Sequence, residues 1–189
     1  MPGGPTLHTD RLVMRRWRPD DLEPFAALNA DPAVMEHFQR LMTPEDTVAF
    51  VGRIESEFEE RGWGLWAVEV EGGPPFIGYV GLHAVPYETP FTPAVEVGWR
   101  LAREHWGHGY ATEAAVRAVR FGYEDAALPE VLSFTNPANE RSWRVMERIG
   151  MVRDPGGDFE HPNVPEGHRL RPHVLYRFPV RSDGTRRPM

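Results

Sequence analysis

The sequence predicts a single α/β (α+β) domain in which helices flank a mixed sheet of about six to seven strands. Its 189 residues fit one domain. Short apolar runs typical of strands alternate with repeats of helical spacing. An antiparallel meander precedes a strand–helix–strand–helix–strand order, which requires at least one parallel strand pair. We therefore expect residues 1–189 to form one domain, with mobile ends at 1–8 and 180–189.

Strands are predicted where apolar or alternating runs end at turn residues. These runs are residues 12–17, 63–70, 76–82, 94–101, 131–135 and 173–178. The stretch 153–172 is rich in Pro and Gly, and we expect it to be a connection with little regular structure.

Helices are predicted from start signals and helical spacing. One begins after Pro19, and a second begins where Thr43 can cap the helix and Pro44 can occupy its first position. The second should end near Gly62. Its predicted core-facing residues are Val48, Val51, Ile54 and Phe58. Two further helices follow, one after Ala111, with Ala115, Val116, Val119 and Tyr123 in register, and one over 139–149.

Composition excludes several classes of chemistry. The chain has no Cys, which excludes disulfides, thiolate metal sites and a Cys nucleophile. Every one of its 21 basic residues is Arg, so Schiff-base chemistry and a P-loop lysine are excluded as well. A net charge of −7 argues against a general nucleic-acid binder. The first dozen residues contain no apolar run, and no stretch is long enough for a membrane span, so we expect a cytoplasmic protein without a signal peptide.

The junction from Leu101 to Thr112 is the most informative segment. A predicted strand leads through a turn with Gly107 and Gly109 into a helix, whose first N–H groups are unpaired. Because glycine has no Cβ, a phosphate or pyrophosphate can approach this backbone closely. A Gly-x-Gly pair is weak on its own, and the turn could simply let the helix pack closely. A dinucleotide fingerprint would need a third glycine where Thr112 stands.

Four segments together resemble one known family. They are Thr9-Asp10-Arg11-Leu12-Val13-Met14-Arg15, Glu96-Val97-Gly98-Trp99, Gly107-His108-Gly109-Tyr110-Ala111-Thr112-Glu113-Ala114, and Asn139-x-x-Ser142 followed by Ile149-Gly150-Met151. In these segments the chain resembles the GNAT superfamily of acyl-CoA-dependent N-acetyltransferases over residues 9–152. It is most similar to the branch of ribosomal-protein N-terminal (Ala/Ser) acetyltransferases.

The resemblance implies an acyl-CoA N-acyltransferase domain with acetyl-CoA as co-substrate and no metal. The coenzyme-binding residues that it implies are Val95, Val97, Trp106, Gly107, His108, Gly109, Tyr110, Ala111, Thr112, Asn139 and Ser142. Two positions depart from the superfamily pattern. Trp106 stands where Arg or Gln is usual, and Met146 stands where many members have a Tyr that protonates the thiolate. The branch often lacks that Tyr and has a Ser at the position of Ser142.

Glu96, Ser142 and Asn139 are the candidate catalytic residues. Glu96 interrupts an apolar strand and could take the proton of the amine, or it could face solvent or pair with Arg100. Asn139 and Ser142 share one helix face. The resemblance implies that Asn139 orients a substrate and that Ser142 contacts the thiolate, whereas Asn139 could also be only a helix cap. The backbone N–H of Val97 is the candidate oxyanion donor.

Several further residues are weaker candidates. Arg103, Arg141 and Arg144 could contact the coenzyme phosphates, and Glu113 is expected to be structural. His83, Tyr87, Trp17, Phe38 and the 86–93 loop could line the acceptor site or simply pack. His161, His168 and His173 lie close in sequence, but their spacing does not favour a metal site.

The predicted function is transfer of an acetyl group from acetyl-CoA to a primary amine, directly within a ternary complex. A protein N-terminal α-amine is one candidate acceptor, and a polyamine or antibiotic is the alternative. A non-catalytic acyl-CoA-binding module on the same fold is a second alternative. We expect no membrane or direct nucleic-acid partner, and a monomer or homodimer.

Overall fold

The computed structural model of the chain describes residues 4–180 and residue 184. The predicted tail after residue 180 therefore lies almost wholly outside the described residues, as do residues 1–3. The strands are β1 (Leu7–His8), β2 (Leu12–Arg15), β3 (Leu65–Val70), β4 (Gly78–Ala84), β5 (Val95–Leu101), β6 (Leu132–Thr135), β7 (Val152–Arg153), β8 (Phe159–Glu160) and β9 (Pro172–Arg177). The helices are α1 (Leu22–Ala30), α2 (Pro44–Arg61), α3 (Tyr110–Glu124) and α4 (Glu140–Arg148).

The strands form a mixed sheet in the order β1-β2-β3-β4-β5-β6-β9-β7, with β8 paired to β9. All neighbouring pairs are antiparallel except β5 with β6, which α3 connects in parallel. The predicted α+β class and mixed sheet are confirmed. The number of strands predicted from the sequence was too low. The strands β1, β7 and β8 have two residues each and are too short for a periodic pattern.

Two regions expected to lack structure contribute to this sheet. Residues 7 and 8, assigned to a mobile end, pair with β2, and Leu7 is buried. The Pro/Gly-rich stretch 153–172 contains β8, and Phe159 lies opposite His173 on β9. Tertiary pairing, rather than local propensity, orders both regions.

The boundaries of α2 follow its sequence signals. Thr43 accepts a hydrogen bond from the Asp46 backbone at 3.1 Å, and Gly62 ends the helix with a left-handed φ of 76°. Val51, Ile54 and Phe58 are buried as predicted.

Two predicted core residues are on the surface instead. Val48 on α2 is 54% exposed and Val116 on α3 is 49% exposed. In α2 the buried neighbour is Thr47, which accepts a hydrogen bond from the side chain of Asn29 at 3.1 Å. A polar contact between α1 and α2 therefore sets the rotation of the first turn of α2.

In the described part of the chain, the parallel pair β5–β6 has a single backbone bridge. Glu96 lies opposite Leu132, and beyond this bridge the two strands diverge toward their carboxyl ends. The β3–β4–β5 meander continues on one side of the gap, and the β6–β9 pair on the other. This divergence opens the sheet at its centre and produces the cavity described below. No helix of the described residues is long and apolar enough to cross a membrane.

Candidate active site

A cavity of about 1040 Å³ opens where β5 and β6 diverge. Its walls come from β5, β6, the start of α3, α4, the α1–α2 connection and residues between 161 and 173. The predicted site residues that line it are Glu96, Trp106, Gly107, Gly109, Tyr110, Ala111, Thr112, Asn139 and Ser142. The fold thus brings together residues from three separate parts of the chain. Three implied coenzyme-binding residues, Val95, Val97 and His108, do not line the cavity with their side chains.

The glycine turn places the N-terminus of α3 at the cavity. Gly107 and Gly109 have φ values of 80° and 82°, in a region that only glycine adopts readily. Gly109 is the N-cap of α3 and provides no side-chain cap. The first N–H groups of the helix therefore have no intrahelical partner, and they form a site with the polarity that an anion requires.

The N-terminal motif holds this turn in place. Thr9 Oγ1 donates to Glu113 at 2.6 Å, and Arg11 Nε donates to the same carboxylate at 2.7 Å. The Arg11 guanidinium also lies 4.8 Å from the centre of the Tyr110 ring. Glu113 is therefore structural, as expected. Thr9 and Arg11 were identified from the sequence as part of a motif before β2. Their partner Glu113, about a hundred residues later, could not be identified from it.

Trp106 fixes the other side of the turn. Its indole Nε1 donates to the Leu101 carbonyl at 2.8 Å, and the Arg141 guanidinium lies 4.7 Å from the centre of its ring. Arg141 and Arg144 line the cavity, whereas Arg103 is exposed and lines a separate pocket. The structure therefore does not place Arg103 with Arg141 and Arg144, and its contact with the coenzyme phosphates stays a prediction. A cation–π contact brings the charge of Arg141 to the position where the superfamily usually has a basic or amide side chain.

Glu96 projects into the cavity as a half-buried carboxylate. Burial raises its pKa to about 7, against the opposing effects of His83 and of a hydrogen bond from the Phe134 backbone. No ion pair joins Glu96 to Arg100 in the part of the chain that the structure describes, so the alternative of a surface ion pair is wrong. A carboxyl group with a pKa near 7 can exchange a proton at neutral pH.

His83 lies between Glu96 and α2. Its Nδ1 is 3.0 Å from Glu57 Oε2, and Glu57 also accepts the Ala84 backbone N–H at 2.8 Å. Burial lowers the pKa of His83, but the hydrogen bond to Glu57 and the charges of Glu57 and Glu96 outweigh this, and the net shift is upward. The ring thus favours its protonated form more than an ordinary histidine does.

Asn139 and Ser142 lie at the start of α4. Asn139 Oδ1 accepts the Ser142 backbone N–H at 3.3 Å, and its Nδ2 donates to Thr135 Oγ1 at 3.1 Å. Asn139 is therefore a helix cap, which also places it at the cavity wall. The Ser142 hydroxyl lines the cavity and forms no hydrogen bond with the described residues, so it remains available to a ligand.

An aromatic wall faces Glu96 from the 86–93 loop, β6 and β9. Tyr87 and Phe134 belong to it, and the His161 and His173 rings lie 4.9 Å apart. Burial lowers the pKa of His161 to about 4 and lowers that of His173, so both rings are neutral at pH 7. His168 does not line the cavity. Residues 4–180 and 184 contain no cluster of three or more His, Asp or Glu suited to a metal.

No single residue of 153–172 was singled out as an acceptor-site candidate, and His161 was considered only as a metal ligand. The pairing of β8 with β9 brings His161 beside His173 at the cavity, and no local pattern revealed that pairing.

The backbone of β5 faces the gap at alternate residues. Leu82 on β4 donates its N–H to Gly64, away from β5, so its pair with Val97 is not a hydrogen-bonded one. The polar groups of Val97 therefore point toward β6, and its carbonyl accepts Ser133 Oγ at 2.9 Å. Because backbone direction alternates along a strand, the N–H and C=O groups of Trp99 also point toward β6. Trp99 lies two residues after Val97 and beyond the Glu96–Leu132 bridge. A cavity between two separating strands, a helix N-terminus and a protonatable carboxylate are together the arrangement that the sequence resemblance implies for an acyl-coenzyme A-dependent transferase.

Comparison with known proteins gives the family. The sequence model of the acetyltransferase (GNAT) domain matches residues 11–152. The uncharacterized protein YkkB of Bacillus subtilis is 33% identical over 148 residues, which are 77% of this chain and 84% of that protein. The FsC-acetyl coenzyme A-N(2)-transacetylase of Aspergillus fumigatus is 33% identical over 155 residues, 78% of this chain and 65% of that protein. The chain belongs to the GNAT acetyltransferase family and is an N-acetyltransferase.

Solved structures agree with this fold. A GNAT-family acetyltransferase from Bacillus anthracis superposes with a TM-score of 0.75 at 26% identity, covering 91% of this chain and 96% of that one. A spermidine N-acetyltransferase from Vibrio cholerae, solved with CoA and spermine, has a TM-score of 0.68 at 18% identity, covering 89% of this chain and 95% of that one. A candidate ribosomal-protein-serine acetyltransferase from the same organism has a TM-score of 0.73 at 16% identity, covering 93% and 98%. The last two similarities concern the fold alone. Acetyl-CoA is the co-substrate typical of this family.

Because Arg141 lies over the Trp106 ring beside the glycine turn, we expect Arg141→Met to raise the dissociation constant for acetyl-CoA about three- to tenfold. That range corresponds to loss of one partly exposed charge interaction of about 1 kcal/mol. Calorimetric titration with acetyl-CoA measures it. Arg103→Met is the matched control, because Arg103 is exposed and lies outside this cavity. Equal effects of the two substitutions would contradict the assignment of Arg141.

Proposed function

We propose that this enzyme transfers the acetyl group of acetyl-CoA directly to the α-amine of a peptide or protein N-terminus. The amine nitrogen attacks the thioester carbonyl carbon, the carbon–sulfur bond breaks, and the coenzyme leaves as a thiolate that takes up a proton. The amine loses one proton to Glu96 in the same sequence. The single observation that carries this proposal is the half-buried Glu96 carboxylate, with a pKa raised to about 7, at the point where β5 and β6 separate.

The acetyl-CoA is proposed to lie along the gap. Its pyrophosphate would meet the N–H groups at the start of α3, and its arm would follow the gap-facing backbone of β5 toward Glu96. Two observations support this placement: the positive φ values of Gly107 and Gly109, which keep the turn open, and the orientation of the Val97 and Trp99 backbone toward β6. The oxyanion of the tetrahedral intermediate would then be stabilised by a backbone N–H of β5, with Val97 as the candidate.

The raised pKa of Glu96 suits an α-amine. An α-amine has a pKa near 8, whereas an ordinary Lys side chain has one near 10.4. A base with a pKa of about 7 is half ionised at neutral pH and can accept a proton from an amine with a comparable pKa. The raised pKa makes Glu96 a weaker acid than an ordinary carboxyl group. It therefore supports an α-amine as the acceptor better than an alkylamine, which is fully charged at neutral pH.

Ser142 is proposed to hydrogen-bond the departing sulfur and to relay a proton to the thiolate, with water replacing the proton on the hydroxyl. Its hydroxyl lines the cavity without a hydrogen bond to the described residues, and Met146, one turn further along α4, has no proton to give. Asn139 is proposed to act through the backbone, because it caps the first turn of α4 and so positions Ser142.

The function is tested by monitoring free thiol during incubation with acetyl-CoA and a panel of peptide N-termini, polyamines and aminoglycosides. We expect thiol release with peptides whose acetylated N-terminus is then found by mass spectrometry. Release only with polyamines or aminoglycosides would favour the small-molecule alternative. Binding of acetyl-CoA without thiol release on any acceptor would favour a non-catalytic module.

We expect Ser142→Ala to lower kcat about tenfold and to leave the dissociation constant for acetyl-CoA within about twofold. The hydroxyl would act on the sulfur only as negative charge develops on it in the transition state, and not on the bound thioester. Steady-state rates with the preferred acceptor measure this. Ser56→Ala is the control, because Ser56 is exposed on α2 and bonds only to the Gly52 carbonyl. An unchanged kcat in Ser142→Ala would remove Ser142 from the mechanism.

A further inference from the structure

Arg100 is a buried cation at the cavity wall that lacks a carboxylate partner. It lies near the end of β5, is 7% exposed and lines the cavity. Both of its hydrogen bonds leave from Nη1, to Asn29 Oδ1 at 2.5 Å and to Met42 Sδ at 3.4 Å. Nε has no partner, and no acid pairs with the guanidinium in the described ranges 4–180 and 184. A buried charge left in this state costs free energy of folding.

The fold itself does not account for this charge. The guanidinium lies 4.0 Å from the centre of the Phe38 ring and 5.4 Å from that of Tyr79, and cation–π attraction offsets part of its burial. Arg15 shows how this chain satisfies a structural buried arginine: it is 4% exposed and is bonded to Asp21 at 2.8 and 2.9 Å. Arg100 has the same burial without the counter-ion.

Arg100 and Glu96 project from the same face of one strand. They are four residues apart, and the register places Glu96 opposite His83 and Arg100 opposite Tyr79. Their Cα atoms are therefore about 13 Å apart along β5. Both side chains line the cavity. The strand thus presents two groups to the same cavity, the carboxylate of Glu96, which can take up a proton, and the uncompensated guanidinium of Arg100.

Two further arginines act on the cavity next to Phe38, which covers Arg100. His37 lines the cavity in the α1–α2 connection, its Nδ1 has no partner, and its pKa is lowered by burial and by the charges of Arg169 and Arg141, against the raising effect of Glu36. Arg169 Nη2 also donates to the Glu36 carbonyl at 2.9 Å. The lowered pKa of His37 shows that this end of the cavity favours a neutral group over a second cation.

We propose that Arg100 binds a carboxylate of the acceptor, so that the enzyme prefers peptides carrying an anionic group about three residues from the reacting amine. This inference rests on the proposed function. An extended chain of three residues spans about 10 Å, and its hydrogen bonds to the two side chains cover the remainder of the roughly 13 Å between their Cα atoms along β5. The carboxylate can be the C-terminus of a tripeptide or an acidic side chain at the third position of a longer peptide. A di- or polyamine of the same length would place a cation beside Arg100 and is disfavoured.

Four peptides distinguish a C-terminal carboxylate from an acidic side chain at the third position. They are Ala-Ala-Ala as the free acid, the same tripeptide as its C-terminal amide, Ala-Ala-Glu-Ala-Ala amide and Ala-Ala-Gln-Ala-Ala amide. Each pair has the same α-amine and differs in one carboxylate. We measure kcat/KM for each at saturating acetyl-CoA, and we titrate each calorimetrically into the enzyme saturated with free coenzyme A. The titration records the preference even for a peptide that is not turned over.

The wild-type enzyme is expected to favour at least one acid over its neutral partner by tenfold or more. In Arg100→Met this preference should fall to about one, while the KM for acetyl-CoA and the rate with the neutral peptides stay within about twofold. Arg100→Lys should retain part of the preference, because it restores a charge without the planar donor geometry. Thermal unfolding should show Arg100→Met to be no less stable than wild type, since it removes an unpaired buried charge. Arg120→Met, at an exposed position on α3, is the control.

Three results would overturn this inference. Equal use of acids and amides by the wild type would show that no carboxylate is bound. A preference that survives in Arg100→Met would assign the carboxylate to another group, and a raised KM for acetyl-CoA would assign Arg100 to the coenzyme. Failure of the proposed function is distinct from all three, because it would appear as no thiol release with any acceptor.

Discussion

Replacing Glu96 with Gln is expected to lower kcat/KM about 100-fold and to remove a titration near pH 7. A positioned general base typically contributes 10²–10⁴-fold, and Gln keeps the shape of the side chain while losing its basicity. In the wild type, activity should fall as the pH drops through about 7, because Glu96 then becomes protonated. In Glu96→Gln only the titration of the amine, near pH 8 for an α-amine, should remain. Profiles of kcat/KM between pH 5.5 and 9 measure both effects.

The same substitution should stabilise the protein at high pH. Because the folded-state pKa of Glu96 is raised, the native state binds more protons than the unfolded chain between about pH 4.5 and pH 7. Stability is therefore lost as the pH rises through this window. Above it, Glu96→Gln should gain on the order of 1–3 kcal/mol over the wild type, and below pH 4.5 the gain should vanish.

Urea unfolding at pH 4.5 and pH 8 measures this difference. Glu71→Gln, in the exposed turn between β3 and β4, is the control and should change neither activity nor stability. Loss of activity in Glu96→Gln together with an unchanged pH profile would show that Glu96 has a structural role only.

Gly109→Ala is expected to weaken acetyl-CoA binding roughly 10- to 100-fold. Gly109 has a φ of 82°, and an alanine held there is strained by about 1–3 kcal/mol. Its Cβ would meet only the Arg11 guanidinium, at 3.6 Å, so the effect comes from backbone conformation rather than from a clash. Relaxation of the strained turn would move the first N–H groups of α3 away from the phosphates. Calorimetric titration with acetyl-CoA measures the loss.

Gly72→Ala separates coenzyme binding from folding. Gly72 has a similar φ of 69°, lies in the β3–β4 turn, and has nothing within 4 Å of the added Cβ. Both substitutions should lower the melting temperature by similar amounts, because both strain a left-handed glycine. Only Gly109→Ala should lose the coenzyme. Equal coenzyme affinity in the two variants would contradict the placement of acetyl-CoA at α3.

Local signals in the sequence predicted the ends of α2 and the glycine turn at which we propose that the coenzyme binds. The Thr43 cap, the Gly62 stop and the Gly107–Gly109 turn each carry their structural reason within a few residues, and the structure has each of them. The carboxylate of Glu96 was identifiable because it interrupts an apolar strand. Its raised pKa was not, because that depends on burial by distant residues.

Long-range pairing determined what could not be predicted. Nothing near His161 or His173 indicates that β8 pairs with β9 and carries their rings to the cavity. Arg100 was considered only as a partner for Glu96. Its contact with Asn29 depends on how α1 packs against β5, at a separation of 71 residues. The turn that we propose for the coenzyme is therefore predictable from nearby residues, whereas the cavity wall that contains His161, His173 and Arg100 depends on tertiary structure.

Direct transfer in a ternary complex is the central claim, and the mass of the intact enzyme tests it most directly. The chain has neither Cys nor Lys, and Ser142 is the cavity hydroxyl that we propose to contact the thiolate, so it is the group on which an acyl-enzyme would be expected. The enzyme is mixed with excess acetyl-CoA without an acceptor, and the reaction is stopped within one turnover time. The mass of the intact chain is then measured by mass spectrometry. We predict an unmodified chain, with intersecting initial-rate lines when both substrates are varied. An acetyl group on Ser142 that disappears when the amine is added, together with parallel lines, would contradict the account.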